Sequence, residues 1–480
     1  MDLYPWQAAD VETAVDAIRT TGGALFSWGM GSGKTVSAVE VAKSLGAERV
    51  LVIAPLSTHE SWNLTSQGQG APEIRRASSK TKADKEALFG VEFGLPGWYV
   101  MSHALVTRAT TEEWPAFDLV ICDEIHLVAE KSSKGLKKIL GIESAGRLAL
   151  SGTPARNKVE NLWGVSRFLW PNLSDAGQVA DSKFWRWAAL RLEEKTVYTN
   201  QRDQWGNPKT VRQFTGEKDT GSIFRDMPYA SVHLARERCC EHHPEGVLAA
   251  LTEPAEMHET IALLPEQKRA IRDMETQMVT WLGEHPMVTE IPLTAQIRIR
   301  QCILGVPTVE WYEEDGEDKQ EVSFSEDCKS PFLDRLVEIL SQDEEPFVVW
   351  ADSQKFAEVV VARLTKAGIT AAEYSGKRKA PVDEFGESYR VLVAIPSALG
   401  TGSDGLQQVS NSEVWLSRSL DETVNEQAEA RLFRNGQSGQ VRRWIFFDDQ
   451  GISEGRFSDA VMKRLELNKS LRLDNEAQAA

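Results

Sequence analysis

Cysteine is scarce in this 480-residue chain: there are five, at Cys122, Cys239, Cys240, Cys302 and Cys328, with no regular spacing. That scarcity excludes a disulfide framework and suits a reducing compartment. Long apolar runs are missing as well. None approaches the roughly 18 to 20 residues of a membrane span, and no basic N-terminal segment leads into an apolar one. The expected location is the cytoplasm of a microbial cell, or of a host cell if the source is viral, with no membrane partner. Excess positive charge is lacking too. Lys and Arg total 54 against 71 Asp and Glu, a formal net charge of −17, the wrong sign for holding nucleic acid by bulk attraction. Basic stretches at Arg75 and Arg76, at residues 131–138, at Arg298 and Arg300, and at residues 377–379 are short enough to be solvated faces. Cys239-Cys240-Glu241-His242-His243 is the one zinc candidate. Zinc ligands normally come at wider spacing from two segments, so a structural thiol pair beside surface histidines is preferred.

What is present is length and rhythm. A chain of this size can build two or three cores. Apolar runs at residues 49–54, 98–102, 119–123 and 148–151 alternate with helical stretches, and a second set recurs at 347–350, 370–374, 390–395, 413–417 and 441–447. Such runs between helices predict α/β lobes with parallel sheets covered on both faces. The expected division is a first lobe over residues 1–174, an insertion and hinge over 175–260, and a second lobe over 261–480. The acidic stretch 310–327 reads as an exposed loop.

Residues 24–44 read as a strand entering a helix through Met30-Gly31-Ser32-Gly33-Lys34-Thr35. Backbone N–H groups at a helix N-terminus make a positive nest for phosphate, and Gly31 and Gly33 allow close approach. Lys34 would reach the outer phosphates and Thr35 would hold magnesium through its hydroxyl. Trp28 replaces the first glycine of the general pattern, and a glycine-rich turn without nucleotide is the bland alternative. Asp123 and Glu124 close an apolar run, which puts both carboxylates at the C-terminal end of a strand, where open α/β sheets bind ligands. Asp123 is assigned to magnesium and its water, and Glu124 to orienting or deprotonating the attacking water. Alone, the pair would read as a solvated turn; its place after the phosphate loop favours catalysis.

Far downstream, residues 427–437 place Arg431 and Arg434 three apart on an expected helix, hence on one face. Either they approach a γ-phosphate as arginine fingers, or they pair on the surface with Glu426 or Glu429. At the other end, Leu3-Tyr4-Pro5-Trp6-Gln7 offers aromatic rings and an amide able both to donate to and accept from an adenine edge. The rings can equally pack the first helix.

Together these motifs resemble those of superfamily II helicases, and within them the Swi/Snf-type remodelling and translocating ATPases. Residues 3–7 look like that family's Q motif, and 30–35 like its phosphate loop. Ile53-Ala54-Pro55-Leu56-Ser57 is similar to motif Ia, with Trp62 at the following tryptophan, and Asp123-Glu124-Ile125-His126 matches the DExH box. Leu150-Ser151-Gly152-Thr153-Pro154 resembles motif III, continued by Asn157, Glu160, Leu162 and Trp163. RNA helicases with a DExH box usually carry Ser-Ala-Thr there, which favours DNA. Residues 348–354 resemble motif IV, Tyr374-Ser375-Gly376 the segment after it, 400–406 motif V, and 427–437 motif VI. Where most members have Trp-Asn-Pro ahead of motif VI, this chain has Leu420-Asp421-Glu422.

The resemblance implies two RecA-like parallel-sheet lobes with a mostly helical insert, ATP and Mg2+ as cofactors, and DNA, in duplex form, as partner, with a protein partner possible beside it. The implied catalytic residues are Lys34, Asp123, Glu124, Arg431 and Arg434. Tyr4, Trp6, Gln7, Gly31, Ser32, Gly33, Lys34, Thr35 and Gln427 would hold the nucleotide, and Thr35 and Asp123 the metal. Ser57, Ser102, Ser353, Lys377 and Thr401 would meet nucleic acid. The implied activity is that of a minimal ATP-driven motor moving on duplex DNA. A strand-separating or branch-migrating helicase on forked DNA or RNA is one alternative; a nucleotide-gated clamp, or the motor subunit of a nuclease or repair assembly, is another.

Overall fold

The computed structural model describes residues 3–76, 96–109, 114–156, 158–202, 208–233, 250–282, 285–289, 292–314, 317–399, 405–459 and 461–462. The chain divides into two compact units, residues 1–250 and 251–462. In the first unit the apolar runs become β1 (Gly23–Trp28), β2 (Arg49–Ile53), β3 (Ile74–Arg76), β4 (Gly97–Met101), β5 (Phe117–Asp123) and β6 (Ser144–Leu150). A hairpin, β7 (Leu192–Arg202) with β8 (Pro208–Glu217), and a short β9 (Ala230–His233) follow. The main sheet runs β3-β4-β2-β5-β6-β1-β9, with every neighbouring pair parallel.

The sheet is covered on both faces, as consecutive apolar residues require. Ala24, Phe26, Val50, Val52, Leu119 and Ile121 face one core, shared with α1 (Pro5–Thr21), α2 (Lys34–Leu45) and α3 (His59–Gly68). Their neighbours Leu25, Leu51, Ile53, Val120 and Cys122 face the other, under helices Asn161–Leu169 and Phe184–Arg191. Pro5 starts α1, and Gly22 closes it with a φ of +88°, the proline-first, glycine-last pattern of helix ends.

Between residues 175 and 260 a mostly helical insert was expected, and the described residues differ. Residues rich in Thr, Val, Tyr and Phe pair as the β7–β8 hairpin, because β-branched and aromatic side chains suit strands better than helices. Trp187, Ile223, Phe224, Met227 and Val232 all join the first unit's core, and β9 extends its sheet beside β1.

The second unit carries β10 (Ala255–Ile261), hairpins β11 (Val279–Leu282) with β12 (His285–Val288) and β13 (Thr308–Glu314) with β14 (Glu317–Ser323), then β15 (Phe347–Trp350), β16 (Ala371–Tyr374), β17 (Val391–Ala394), β18 (Ser412–Trp415) and β19 (Arg442–Asp448). Its sheet runs β10-β19-β18-β15-β17-β16, again all parallel. Helices Pro331–Gln342 and Gln354–Lys366 supply much of its apolar cover. The acidic stretch expected as a loop is the β13–β14 hairpin. Val309 pairs with Val322 and both are buried, while Glu310, Glu313 and Glu314 are exposed. Among the described residues no helix is long and apolar enough to cross a membrane, and no group of three or more His, Cys, Asp or Glu is placed to hold a metal. The zinc candidate at 239–243 lies outside the described residues.

Candidate nucleotide site

Strand β1 ends at Trp28, and the chain turns through residues 29–33 into α2. Gly31 and Gly33 adopt φ of +75° and +81°, where an L side chain costs roughly 1–2 kcal/mol. A Cβ on Gly33 would also lie 2.5 Å from Gln7 Nε2. Lys34 folds its ammonium back over the turn, donating to the carbonyls of Trp28 at 2.8 Å and Gly29 at 3.2 Å. Ser32 Oγ donates to the Gly29 carbonyl at 2.6 Å. These carbonyl oxygens occupy the donors that phosphate oxygens would take.

Gln7, buried in α1, accepts from the Tyr4 N–H at 2.8 Å and donates to the Ser32 carbonyl at 2.7 Å. Its amide therefore reads the phosphate loop's backbone. Tyr4 is 58% exposed, whereas Trp6 packs against Trp28 and His233, with centroids 5.0 and 4.4 Å away. A buttress that the sequence did not reveal lies beneath. The Gly29 N–H donates to the His233 carbonyl at 2.6 Å, and Asp10 Oδ2 is 2.6 Å from both His233 Nε2 and Ser231 Oγ. Strand β9 thus ties the loop's first residue to α1.

Asp123 ends β5, and its carboxylate is buried. Oδ1 accepts from the Glu124 N–H at 3.0 Å, and Oδ2 from the Trp62 indole at 3.1 Å. His103 Nε2 sits 2.8 Å from the Asp123 carbonyl. Burial pushes the His103 pKa down to about 4, so the neutral ring donates there. Glu124 turns with a left-handed φ of +49°, a strain of the order of 1–3 kcal/mol that is often kept at functional sites. Its Oε2 meets His126 Nδ1 at 3.2 Å and Ser151 Oγ at 3.4 Å.

Burial, then the adjacent Glu124 charge, raise the Asp123 pKa to about 6 against Trp62 and Lys34. Burial alone would raise Glu124 too, but the His126 bond and the charges of His126 and Lys34 outweigh it and bring it to about 2. One carboxylate is thus poised to stay ionised while its neighbour gains most from a cation. A lysine on loop carbonyls, a glycine turn at a helix N-terminus, and an acidic pair within the lysine's field are a donor set that fits a magnesium nucleotide.

Compared with known families, residues 7–202 match the SNF2-related domain. This part of the chain is similar to that domain. The chain is 22% identical to Protein CHROMATIN REMODELING 24 of Arabidopsis thaliana over 96% of this chain and 46% of that protein. It is 25% identical to the ISWI chromatin-remodeling complex ATPase ISW1 of Saccharomyces cerevisiae over 38% of this chain and 17% of that one. The chain therefore spans less than half the length of these relatives. A solved Sulfolobus solfataricus SWI2/SNF2 ATPase core in complex with dsDNA aligns over 98% of this chain and 97% of its own, at 16% identity and a TM-score of 0.42.

Within the matched region, Lys34 and Thr35 open α2 after β1, and Asp123 and Glu124 lie at and just past the end of β5, with β1 and β5 both strands of one parallel sheet. Ser57 lies half-buried in a short turn of helix after β2. Ser102 caps helix His103–Arg108, its Oγ accepting from the Leu105 N–H at 3.2 Å. In the second unit Ser353 caps helix Gln354–Lys366 in the same way, and Lys377 is exposed. Thr401 and Asn157 lie outside the described residues.

The motif VI segment differs from expectation. Helix Glu422–Glu429 ends before Arg431, so Arg431 and Arg434 are in the turns that follow and do not share a helical face. Leu432 and Phe433, adjacent in sequence, are both buried, and a surface helix would have pointed them about 100° apart. Gln427 is buried within the helix. Beneath the helix, Arg443 meets Glu413, Glu256 and Glu429 at 2.5, 2.9 and 3.2 Å, and Arg418 meets Glu422 and Glu429 at 2.8 Å each. No local sequence pattern signals this ion network, because its members are spread along the chain.

Proposed function

We propose that this chain is an ATPase that couples ATP hydrolysis to movement along duplex DNA. The observation that carries the reading is the convergence of Lys34, Asp123 and Glu124 within an SNF2-related domain. The names of the relatives, which refer to chromatin remodelling and in one case to an ATPase, support the ATP-using part of this reading.

In this reading the phosphates take the N–H groups of the glycine turn, and Lys34 exchanges the Trp28 and Gly29 carbonyls for phosphate oxygens. Thr35 and Asp123 would hold Mg2+, which when bound supplies positive charge to the phosphate oxygens. Glu124 orients or deprotonates the attacking water, and as a carboxylate held ionised it can accept that water's hydrogen bond. Arg431 and Arg434 supply charge to the γ-phosphate. Ser102 and Ser353 use an oxygen lone pair for capping and keep a hydroxyl proton to offer a DNA phosphate. With Ser57, Lys377 and Thr401 they would make contacts that position without reading sequence. A protein partner belongs to the same proposal.

The test is steady-state ATP hydrolysis alone, then with single-stranded DNA, duplex DNA and RNA at matched nucleotide concentration and low salt. Lys34→Ala and Glu124→Gln serve as blanks, and both are expected to stay folded because neither side chain packs a core. Strong stimulation by duplex DNA is the expected result. Greater stimulation by single strands or RNA would move strand separation ahead, and turnover retained in either blank would overturn the site assignment.

A further inference from the structure

We infer that Trp62 is a positioning residue for the metal-holding carboxylate: its indole N–H fixes the plane in which Asp123 presents its oxygens to a divalent cation. The inference deepens the proposed nucleotide site and rests on it. A carboxylate at the end of a strand can turn about its last torsion, which is broad and only two-fold. Here two donors pin it, one per oxygen: the Glu124 N–H on Oδ1 at 3.0 Å and the Trp62 indole on Oδ2 at 3.1 Å. Each oxygen keeps a lone pair for a cation or its water. The backbone donor is supplied by the next residue and comes with the turn. The indole comes from α3, which is 61 positions away in sequence.

Packing alone does not explain the indole. Trp62 is 1% exposed in the core shared by α1, α2, α3 and the sheet, and any large ring could fill that volume. Its N–H is the part that packing leaves over, and the core directs it at the one buried carboxylate assigned to metal. Trp98 provides a comparison in the same core: it is 2% exposed, and its indole donates to a neutral acceptor, the Ala47 carbonyl, at 3.1 Å. Truncating Trp98 therefore removes ring volume and one hydrogen bond without touching a carboxylate. Partners that orient a metal ligand commonly change metal affinity by about 10–100-fold when removed.

The experiment uses the full chain and reads binding rather than turnover. Mn2+ is titrated in the presence of saturating ADP and followed by electron paramagnetic resonance, for the wild type, Trp62→Phe and Trp98→Phe. ADP affinity without divalent ion and thermal stability are recorded alongside. The expected result is Mn2+ affinity about tenfold or more weaker in Trp62→Phe, with metal-free ADP affinity unchanged. Trp98→Phe should lose stability yet keep wild-type Mn2+ affinity. Equal Mn2+ affinity in all three proteins would overturn the inference, as would equal weakening in both variants. If the wild type itself shows no ADP-dependent Mn2+ site, the nucleotide-site reading falls first. Should Trp62→Phe fail to fold, benzothienylalanine at position 62 keeps the bicyclic shape without the N–H, and the same comparison decides.

Discussion

His126 Nδ1 stands 3.2 Å from Glu124 Oε2 and 3.0 Å from Ser151 Oγ, so one imidazole joins the proposed base to the segment that follows β6. The His126 bond is the foremost influence holding Glu124 down against burial. In His126→Ala burial prevails and the Glu124 pKa rises. The acid limb of the kcat–pH profile then moves to higher pH, and the deficit against wild type is larger at about pH 6 than at about pH 8. A deficit of the same size at both would show that the imidazole acts otherwise than through ionisation.

Asp123 carries the opposite shift. Its folded pKa is raised to about 6 by burial and by the Glu124 charge, while an unfolded aspartate titrates near pH ~4. The folded chain binds that proton more tightly, so stability from this group falls as pH rises from about 4 through about 6. Asp123→Asn removes the cost. In EDTA its Tm should exceed the wild-type value at about pH 7.5 by several degrees, and the gap should close as pH is lowered toward about 4. Scanning fluorimetry across pH measures this, and a gap independent of pH would contradict it.

Arg434→Ala tests the finger role. Single-turnover hydrolysis should slow by about a thousandfold or more, while binding of a fluorescent ATP analogue stays close to wild type. A pure loss of affinity with normal turnover would assign Arg434 to nucleotide binding instead.

Arg443 is 1% exposed among three glutamates, and Glu413 beside it is fully buried. Arg443→Met leaves that carboxylate without its charged partner, at a cost of about 3–5 kcal/mol. Chemical denaturation should show the loss, and adding Glu413→Gln should recover part of it because the uncompensated charge is then gone. No recovery in the double variant would mean that the arginine acts mainly through its other partners.

Legibility in the sequence follows burial. Strands covered on both faces demand consecutive apolar residues, so β2, β4 and β15 to β19 fall within about two residues of the apolar runs, while β5 and β6 end at or within a residue of theirs but begin earlier. At the positions whose burial is described, the β7–β8 and β13–β14 hairpins are mostly exposed, and they mix polar with apolar residues, which disguises them as loop or insert. Strand β9 is only four residues long, too short for a pattern, and its place beside β1 depends on a sheet edge assembled from distant segments. The break after Glu429 was hidden as well, because 427–437 contains good helix formers and its end is set by where Leu432 and Phe433 must bury.

By itself the sequence determined the order and kind of the chemistry. A glycine turn, a lysine and an acidic pair at strand ends are local patterns, and local patterns survive without a fold. Only the tertiary structure decided what each polar group faces: Gln7 on the Ser32 carbonyl, His233 beneath Gly29, His126 between Glu124 and Ser151, and Trp62 on Asp123. A hydrogen bond tolerates only a few tenths of an ångström, and the partners here are separated by up to 204 positions, as Gly29 and His233 are. Spacing along a chain cannot specify such distances; they are fixed when two cores pack against one sheet and bring each donor to its acceptor.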